Sequence, residues 1–429
     1  MTGTKFTVVL VALSISFAHS LKPREIGHVS IQRPGYSSVF KYSDEKSFDL
    51  FVTSFEAAEG TEDEIYMVRD IGSKLKNLGQ VVPEVLSKNV DWPNEVKKVP
   101  DDVFGEDGYI WAATGFMVAG KMAGYVGLLN PKKHGMPDVP NVISVNPGDV
   151  PWFYHRVEWI DMNNDGLKDA LTARTFVEDE TSDYVYHADL VWFQNPGGLS
   201  TTSTPWQLHV LVDGPDCFFH TVELTLPDGT TKLCVISTQY FTEKLTVTWT
   251  DDPNGSWANP DDIRHRVIDQ DRGHYFDLVI DDLNNDGRLD LMVTVNKNWG
   301  GHVMAYEIPD NFITDDWPAH LLAEGFDGGY MYGRGAPGSG FTFRPASEPN
   351  RKKPVILISG DDDGMIYLIQ PYNDDDSNDW QYHKTVIFTT PGMVGSVSLV
   401  DVDNDGYEEI FIPAWSTQKL HILTFAPLR

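Results

Sequence analysis

Apolar residues in this chain come in short runs bounded by Gly, Asp, Asn and Pro, rather than at helical spacing. Phe48-Asp-Leu-Phe-Val-Thr-Ser-Phe55, Glu64-Ile-Tyr-Met-Val68, Tyr109-Ile-Trp-Ala-Ala and Gly124-Tyr-Val-Gly-Leu-Leu read as strands. So do His155–Ile160, Leu190–Gln194, Tyr275–Ile280 and Ser396–Val400. The pattern is strand-rich and helix-poor from end to end, and no low-complexity linker divides it, which predicts one all-β domain.

One polar stretch occurs three times between such strands. It is Asp161-Met-Asn-Asn-Asp-Gly-Leu-Lys-Asp169, then Asp282-Leu-Asn-Asn-Asp-Gly-Arg-Leu-Asp290, then Asp401-Val-Asp-Asn-Asp-Gly-Tyr-Glu-Glu409. Positions one, three, five and nine carry side-chain oxygens: Asp161, Asn163, Asp165 and Asp169; Asp282, Asn284, Asp286 and Asp290; Asp401, Asp403, Asp405 and Glu409. Position seven (Leu167, Arg288, Tyr407) would add a backbone carbonyl, and the glycine at six permits a sharp turn. Such a donor set suits calcium. An EF-hand would need a glutamate at position twelve and a following helix. Thr172, Val293 and Ile412 stand there instead, each inside a strand sequence, so each loop is expected to join two strands of a hairpin.

The three loops begin 121 and 119 residues apart, with one further strand group between each pair. A period of ~60 residues divides the chain into close to seven units, as a ring of four-stranded blades requires. Strand, D-x-[DN]-x-D-G-x-x-[DE], strand resembles the calcium-loop repeat of the FG-GAP/VCBS class of β-propellers. Leu190-Val-Trp-Phe-Gln-Asn-Pro-Gly197 resembles the outer strand and exit turn of VCBS blades. The resemblance implies a propeller fold and calcium. The class includes adhesion modules, lectins, lyases and dehydratases, so it implies no single activity.

The expected fold is an all-β, seven-bladed β-propeller with calcium-binding hairpin loops. Its blades are expected at about 35–68, 80–130, 142–198, 206–251, 263–310, 317–372 and 380–425 of a single domain spanning 21–429. Trp206-Gln-Leu-His209, Trp317-Pro-Ala-His320 and Trp380-Gln-Tyr-His383 are read as the openings of blades, structural rather than catalytic. Residues 71–108 and 325–353 look irregular and are expected to be insertions over a face. Gly360-Asp-Asp-Asp-Gly364 reads as a solvated hairpin turn.

Residues 1–20 have the form of a secretory signal: Lys5, an apolar Phe6–Phe17, then Ala18-His19-Ser20. No later apolar run is long enough to span a membrane. A net charge of −30 argues against nucleic acid and anionic membranes as partners and favours calcium, cationic surfaces or mineral. Asn254-Gly255-Ser256 is a glycosylation sequon in a polar loop. The only cysteines are Cys217 and Cys234. A tight turn at Asp228-Gly229 would pair Cys234 with Glu223 and Cys217 with Tyr240, too far apart for a disulfide.

Candidate chemistry gathers on the face expected to lie opposite the cation loops. His155 and His220 stand in matching phrases, His-Arg-Val-Glu and His-Thr-Val-Glu. With Tyr240 and Arg174 they would make a base, an acid and a charge stabiliser at the channel mouth. His187, His274, Tyr275, Lys297, Trp299, Arg334 and Trp415 are expected nearby. The reading is a secreted calcium-binding propeller that binds an extracellular carbohydrate, protein or mineral surface. A carbohydrate lyase or dehydratase is the alternative, and an acidic matrix protein of a calcified tissue is a third.

Overall fold

The computed structural model describes residues 21–428 except 44, 59, 89, 106, 133–134, 181–182, 199–204 and 332. The signal-like segment 1–20 lies outside the described residues.

Seven four-stranded antiparallel sheets follow one another along the chain. β1 (Arg24–Ser30) is set apart from the first sheet, which is β2 (Pro34–Phe40), β3 (Asp49–Ser54), β4 (Glu64–Val68) and β5 (Glu84–Lys88). The second is β6 (Pro93–Lys98), β7 (Ile110–Thr114), β8 (Val126–Leu129) and β9 (Asn141–Val142). The third is β10 (Phe153–Ile160), β11 (Asp169–Glu180), β12 (Asp183–Gln194) and β13 (Gln207–Asp213). The fourth is β14 (Phe219–Thr225), β15 (Thr231–Gln239), β16 (Lys244–Thr250) and β17 (Ile263–Gln270). The fifth is β18 (His274–Asp281), β19 (Asp290–Asn296), β20 (Gly301–Glu307) and β21 (Ala319–Phe326). The sixth is β22 (Gly340–Phe343), β23 (Val355–Ser359), β24 (Met365–Pro371) and β25 (Tyr382–Thr389). β26 (Ser398–Val400), β27 (Glu409–Ala414) and β28 (Lys419–Thr424) complete the seventh, with β1 as its outermost strand.

This is a seven-bladed β-propeller, and the first strand of each blade faces the axis. Ser37 donates its N–H to Ser396 O at 3.1 Å, joining blades one and seven. The Asn94 amide reaches Tyr154 O at 2.7 Å, joining two and three. Seven apolar clusters fill the seven gaps between blades, as expected when each sheet buries both faces. Because β1 pairs with β28, the N-terminal strand closes the ring against the C-terminal one.

The blade limits differ from expectation by one strand. The W-x-x-H segments lead into β13, β21 and β25, which close blades three, five and six instead of opening the next. Their structural role holds. Trp206 is buried between blades two and three, and His209 stacks on Trp192 at 4.0 Å. Residues 71–108 are not a mere insertion, since they contain β5 and β6, and 325–353 contains β22. The hairpin at Asp228-Gly229 is also longer than a two-residue turn. Leu226 N–H bonds Thr230 O and Gly229 has φ +86°, so Cys234 pairs with Val222 rather than Glu223. Both cysteines are free and buried.

Candidate functional site

The three acidic loops each join the innermost strand of a blade to the second: β10 to β11, β18 to β19 and β26 to β27. They share one backbone. Position four is left-handed in all three (Asn164 φ +63°, Asn285 +61°, Asn404 +58°), and so is the glycine (Gly166 +89°, Gly287 +88°, Gly406 +88°). Asparagine and glycine are the residues that tolerate this region. The fold gathers the odd-numbered side chains by hydrogen bonds. Asp165 N–H donates to Asp161 Oδ1 at 3.1 Å and to Asn163 Oδ1 at 3.0 Å, and Gly166 N–H to Asp161 Oδ2 at 2.8 Å. Asp282, Asn284 and Asp286 repeat these bonds, as do Asp401, Asp403 and Asp405.

Ligand oxygens of Asp401, Asp403 and Asp405 lie within 4.8 Å of one another, and Glu409 is not part of that cluster. Position nine also latches the turn. Asp169 accepts N–H bonds from Met162 and Asn195, Asp290 from Leu283, and Glu409 from Val402. Burial pushes Asp169 up to about 6, and Asp290 and Glu409 up to about 7, with the neighbouring aspartates adding to the push. An all-oxygen set of this density fits a hard divalent cation.

The four residues expected at a catalytic mouth do not assemble. They share no hydrogen bond, ion pair or ring contact with one another. His155 is 5% exposed, boxed by Phe116, Phe153 and Phe218, and neither ring nitrogen has a partner. Burial drives its pKa down to about 4, so it is neutral. Arg174 pairs across β11 and β12 with Asp189, Nη2 to Oδ2 at 2.8 Å, and lies over the Trp152 ring at 3.9 Å. The Tyr240 ring stacks on His274 at 4.4 Å, and its carbonyl accepts from His274 Nδ1 at 2.8 Å. His220 has both nitrogens engaged, Nδ1 with Glu158 at 2.7 Å and Nε2 with Arg156 at 3.1 Å.

The matching phrases around His155 and His220 mislead because the strands differ. β10 shifts register between Tyr154 and Val157, placing His155 in a bulge, whereas β14 pairs without interruption. His220 also borders a cavity of about 300 Å³ with Lys97, Lys98, Glu158 and Trp159. These come from the ends of β6 and β10 that lead toward the acidic loops, not from the opposite face.

His155 makes a testable pH element. Unfolded, its ring takes a proton near 6.5; folded, only near 4. Between those values the unfolded state binds more protons, so stability falls as pH drops. His155→Leu should remove about 2–3 kcal/mol of the stability lost between pH 7 and about pH 4.5, measured by urea unfolding of both proteins at each pH. Parallel curves for the two proteins would count against a neutral buried imidazole.

Sequence reasoning missed the group that fills the axis. Arg156 of blade three bonds Glu95 of blade two, Nε to Oε2 at 3.2 Å. The same guanidinium reaches His220 of blade four and lies 3.6 Å from Asp277 Oδ1 of blade five. All but His220 are buried. Burial alone would raise the Glu95 pKa, but Arg156 and Lys97 outweigh it and bring it down to about 2. The signal was available: Glu95 to Arg156 is 61 residues and Arg156 to His220 is 64, one repeat each.

The opposite face carries a different feature. Trp299 (46% exposed), Tyr330 (92%) and Met331 (62%) stand together, with the Trp299 and Tyr330 rings 4.4 Å apart. Trp299 follows β19 and Tyr330 follows β21, both at the end of the blade away from the Asp282 loop. The two segments are braced. Lys297 and Ala336 exchange both backbone bonds at 2.9 Å, and the Asn298 amide donates to Met331 O at 3.0 Å. Asp361–Asp363, expected as a solvated turn, forms a short 3₁₀ turn between β23 and β24. Burial, reinforced by the adjacent Asp362 and Asp363, raises the Asp361 pKa, and Asp363 accepts from Tyr367 Oη at 2.6 Å.

No protein-family model matches this chain, and no curated protein matches it. Solved structures similar to it are propellers and enzymes that differ widely from one another. The Dos1 propeller is 10% identical over 91% of this chain and 78% of its own, with a TM-score of 0.43. An alpha-l-arabinofuranosidase, arb93a, from Fusarium graminearum is 12% identical over 94% of this chain and 96% of its own, with a TM-score of 0.40. A Mycobacterium tuberculosis puromycin-hydrolyzing peptidase is 12% identical over 93% of this chain but 55% of its own, with a TM-score of 0.44. Likenesses this distant carry no functional argument.

Proposed function

We propose that this chain is a secreted, calcium-stabilised propeller of the FG-GAP/VCBS kind that binds an extracellular carbohydrate. The observation that carries the ligand is the braced Trp299–Tyr330–Met331 surface. Large aromatic side chains left exposed in contact with one another are informative where scattered exposed Leu or Val is not. A flat ring offers an apolar face to the C–H face of a sugar while its polar edge stays in water. The Asn298 side-chain amide, donating to the Met331 and Arg334 carbonyls, braces the segment without consuming the rings. The lyase alternative finds little support: His155 is sealed, and both His220 nitrogens already have partners. No helix among the described residues is long and apolar enough to cross a membrane, and the secretory reading rests on residues 5–20.

The test is calorimetric titration of the calcium-loaded protein with a panel of neutral and uronic-acid oligosaccharides. Trp299→Ala and Tyr330→Ala should each weaken binding by about tenfold, roughly 1.4 kcal/mol, with the melting temperature unchanged. Binding that survives both substitutions would move the ligand to another surface.

A further inference from the structure

Ring closure brings together three side chains that are far apart in sequence. His28 on β1 and His421 on β28 are direct cross-strand partners, their rings 5.6 Å apart. Glu25 Oε1 lies 2.7 Å from His421 Nδ1. One ligand atom from each of Glu25, His28 and His421 falls within 4.8 Å of the other two.

This arrangement depends on an irregularity. Residues three apart on a regular strand point to opposite faces. β1 shifts register between Glu25 and Gly27, and the added residue brings Glu25 and His28 to one face. Ile26 and Val29, also three apart, correspondingly share the other face and pack between blades seven and one. Gly27 has φ +148°, and a Cβ there would meet Leu78 Cδ1 at 3.2 Å. The bulge therefore favours glycine. Phe388 of β25 lies 4.9 Å from the His421 ring and walls one side. Glu25 is exposed and both histidines are half-buried, so water has access to a remaining coordination position.

We propose that Glu25, His28 and His421 form a binding site for zinc or a similar first-row transition-metal ion that stitches the N-terminal strand to the C-terminal one. Two imidazoles and a carboxylate suit zinc, which prefers nitrogen donors where calcium takes only oxygen. The site thus differs in metal preference from the acidic loops. It also differs in consequence, because an ion bound across β1 and β28 holds the ring shut where nothing covalent does. Lys419, two residues from His421 on β28, is the neighbouring cation that the ion must tolerate.

Full-length protein in saturating calcium would be titrated with Zn²⁺, and with Co²⁺ as a visible-absorbing probe. Excess calcium keeps the all-oxygen loops occupied. Wild type should bind one Zn²⁺ at this site and melt at a higher temperature with it. His28→Ala, His421→Ala and Glu25→Gln should each weaken that binding by about tenfold or more and lose the thermal shift. Equal zinc affinity in wild type and both histidine variants, or no binding in wild type, would overturn the proposal. If a variant does not fold, the wild type still decides. Zn²⁺ should protect His28 and His421 from diethylpyrocarbonate, read by peptide mass spectrometry, and unchanged modification of both would refute the site.

Discussion

Removing calcium should lower the melting temperature by about 10 °C, the largest single effect expected for this protein. The expectation rests on three loops that share one backbone and matching oxygen donors, each proposed to hold one ion. Each ion that binds only the folded chain adds RT ln(1 + [L]/Kd), about 2.7 kcal/mol at a hundredfold excess over Kd, or roughly 8 kcal/mol for three. Unfolding entropy grows with length at about 2 cal/mol/K per residue, so in a chain of this size that free energy corresponds to the stated shift. The expectation has a clear physical source, since each loop holds carboxylates that repel one another without a cation between them. Differential scanning calorimetry with calcium and with EGTA measures it, and Asp161→Ala, Asp282→Ala and Asp401→Ala should each remove one ion from the titrated stoichiometry. An unchanged melting temperature on chelation would remove calcium from the stability of the fold.

How much of this was legible from sequence depends on how local each feature is. The acidic loops were legible because all their donors lie within nine consecutive residues and their turn demands glycine. The blade count followed from loop spacing alone. Blade phase did not follow, because a tryptophan that fills the gap between sheets reads the same whether its strand ends one blade or opens the next. β1 carried no loop marker, and its partner β28 lies at the far end of the chain. The two histidines were misjudged for a related reason. His155 and His220 share a phrase, but a single-residue bulge in β10 sends one into an aromatic box and leaves the other in contact with Arg156 and Glu158. Bulges are decided by pairing with a neighbour, and no local pattern announced this one.

The axis of the ring supplies the second large effect. Arg156→Met should destabilise the protein by about 3–5 kcal/mol, because it leaves Glu95 and Asp277 buried without their main counter-charge. Methionine retains much of the volume, so the loss is electrostatic rather than a cavity. The pH dependence separates the two. In wild type, burial disfavours the charged Glu95, yet Arg156 and Lys97 together hold its pKa down to about 2. The stability this provides is present above the ordinary carboxylate range and is lost only as pH falls through it toward 2. Without Arg156, burial should dominate and raise the Glu95 pKa above its unfolded value, with Lys97 opposing only in part. The variant would then bind a proton on folding, and its deficit should shrink as pH falls from 7 toward 5. A second substitution, Glu95→Gln in the Arg156→Met background, should recover part of the loss at pH 7 by removing the stranded charge. Urea unfolding of wild type, single and double variants at both pH values measures all of this. A single-variant loss below about 1 kcal/mol at pH 7 would show that the guanidinium serves the axis as packing over Phe218 rather than as its counter-charge.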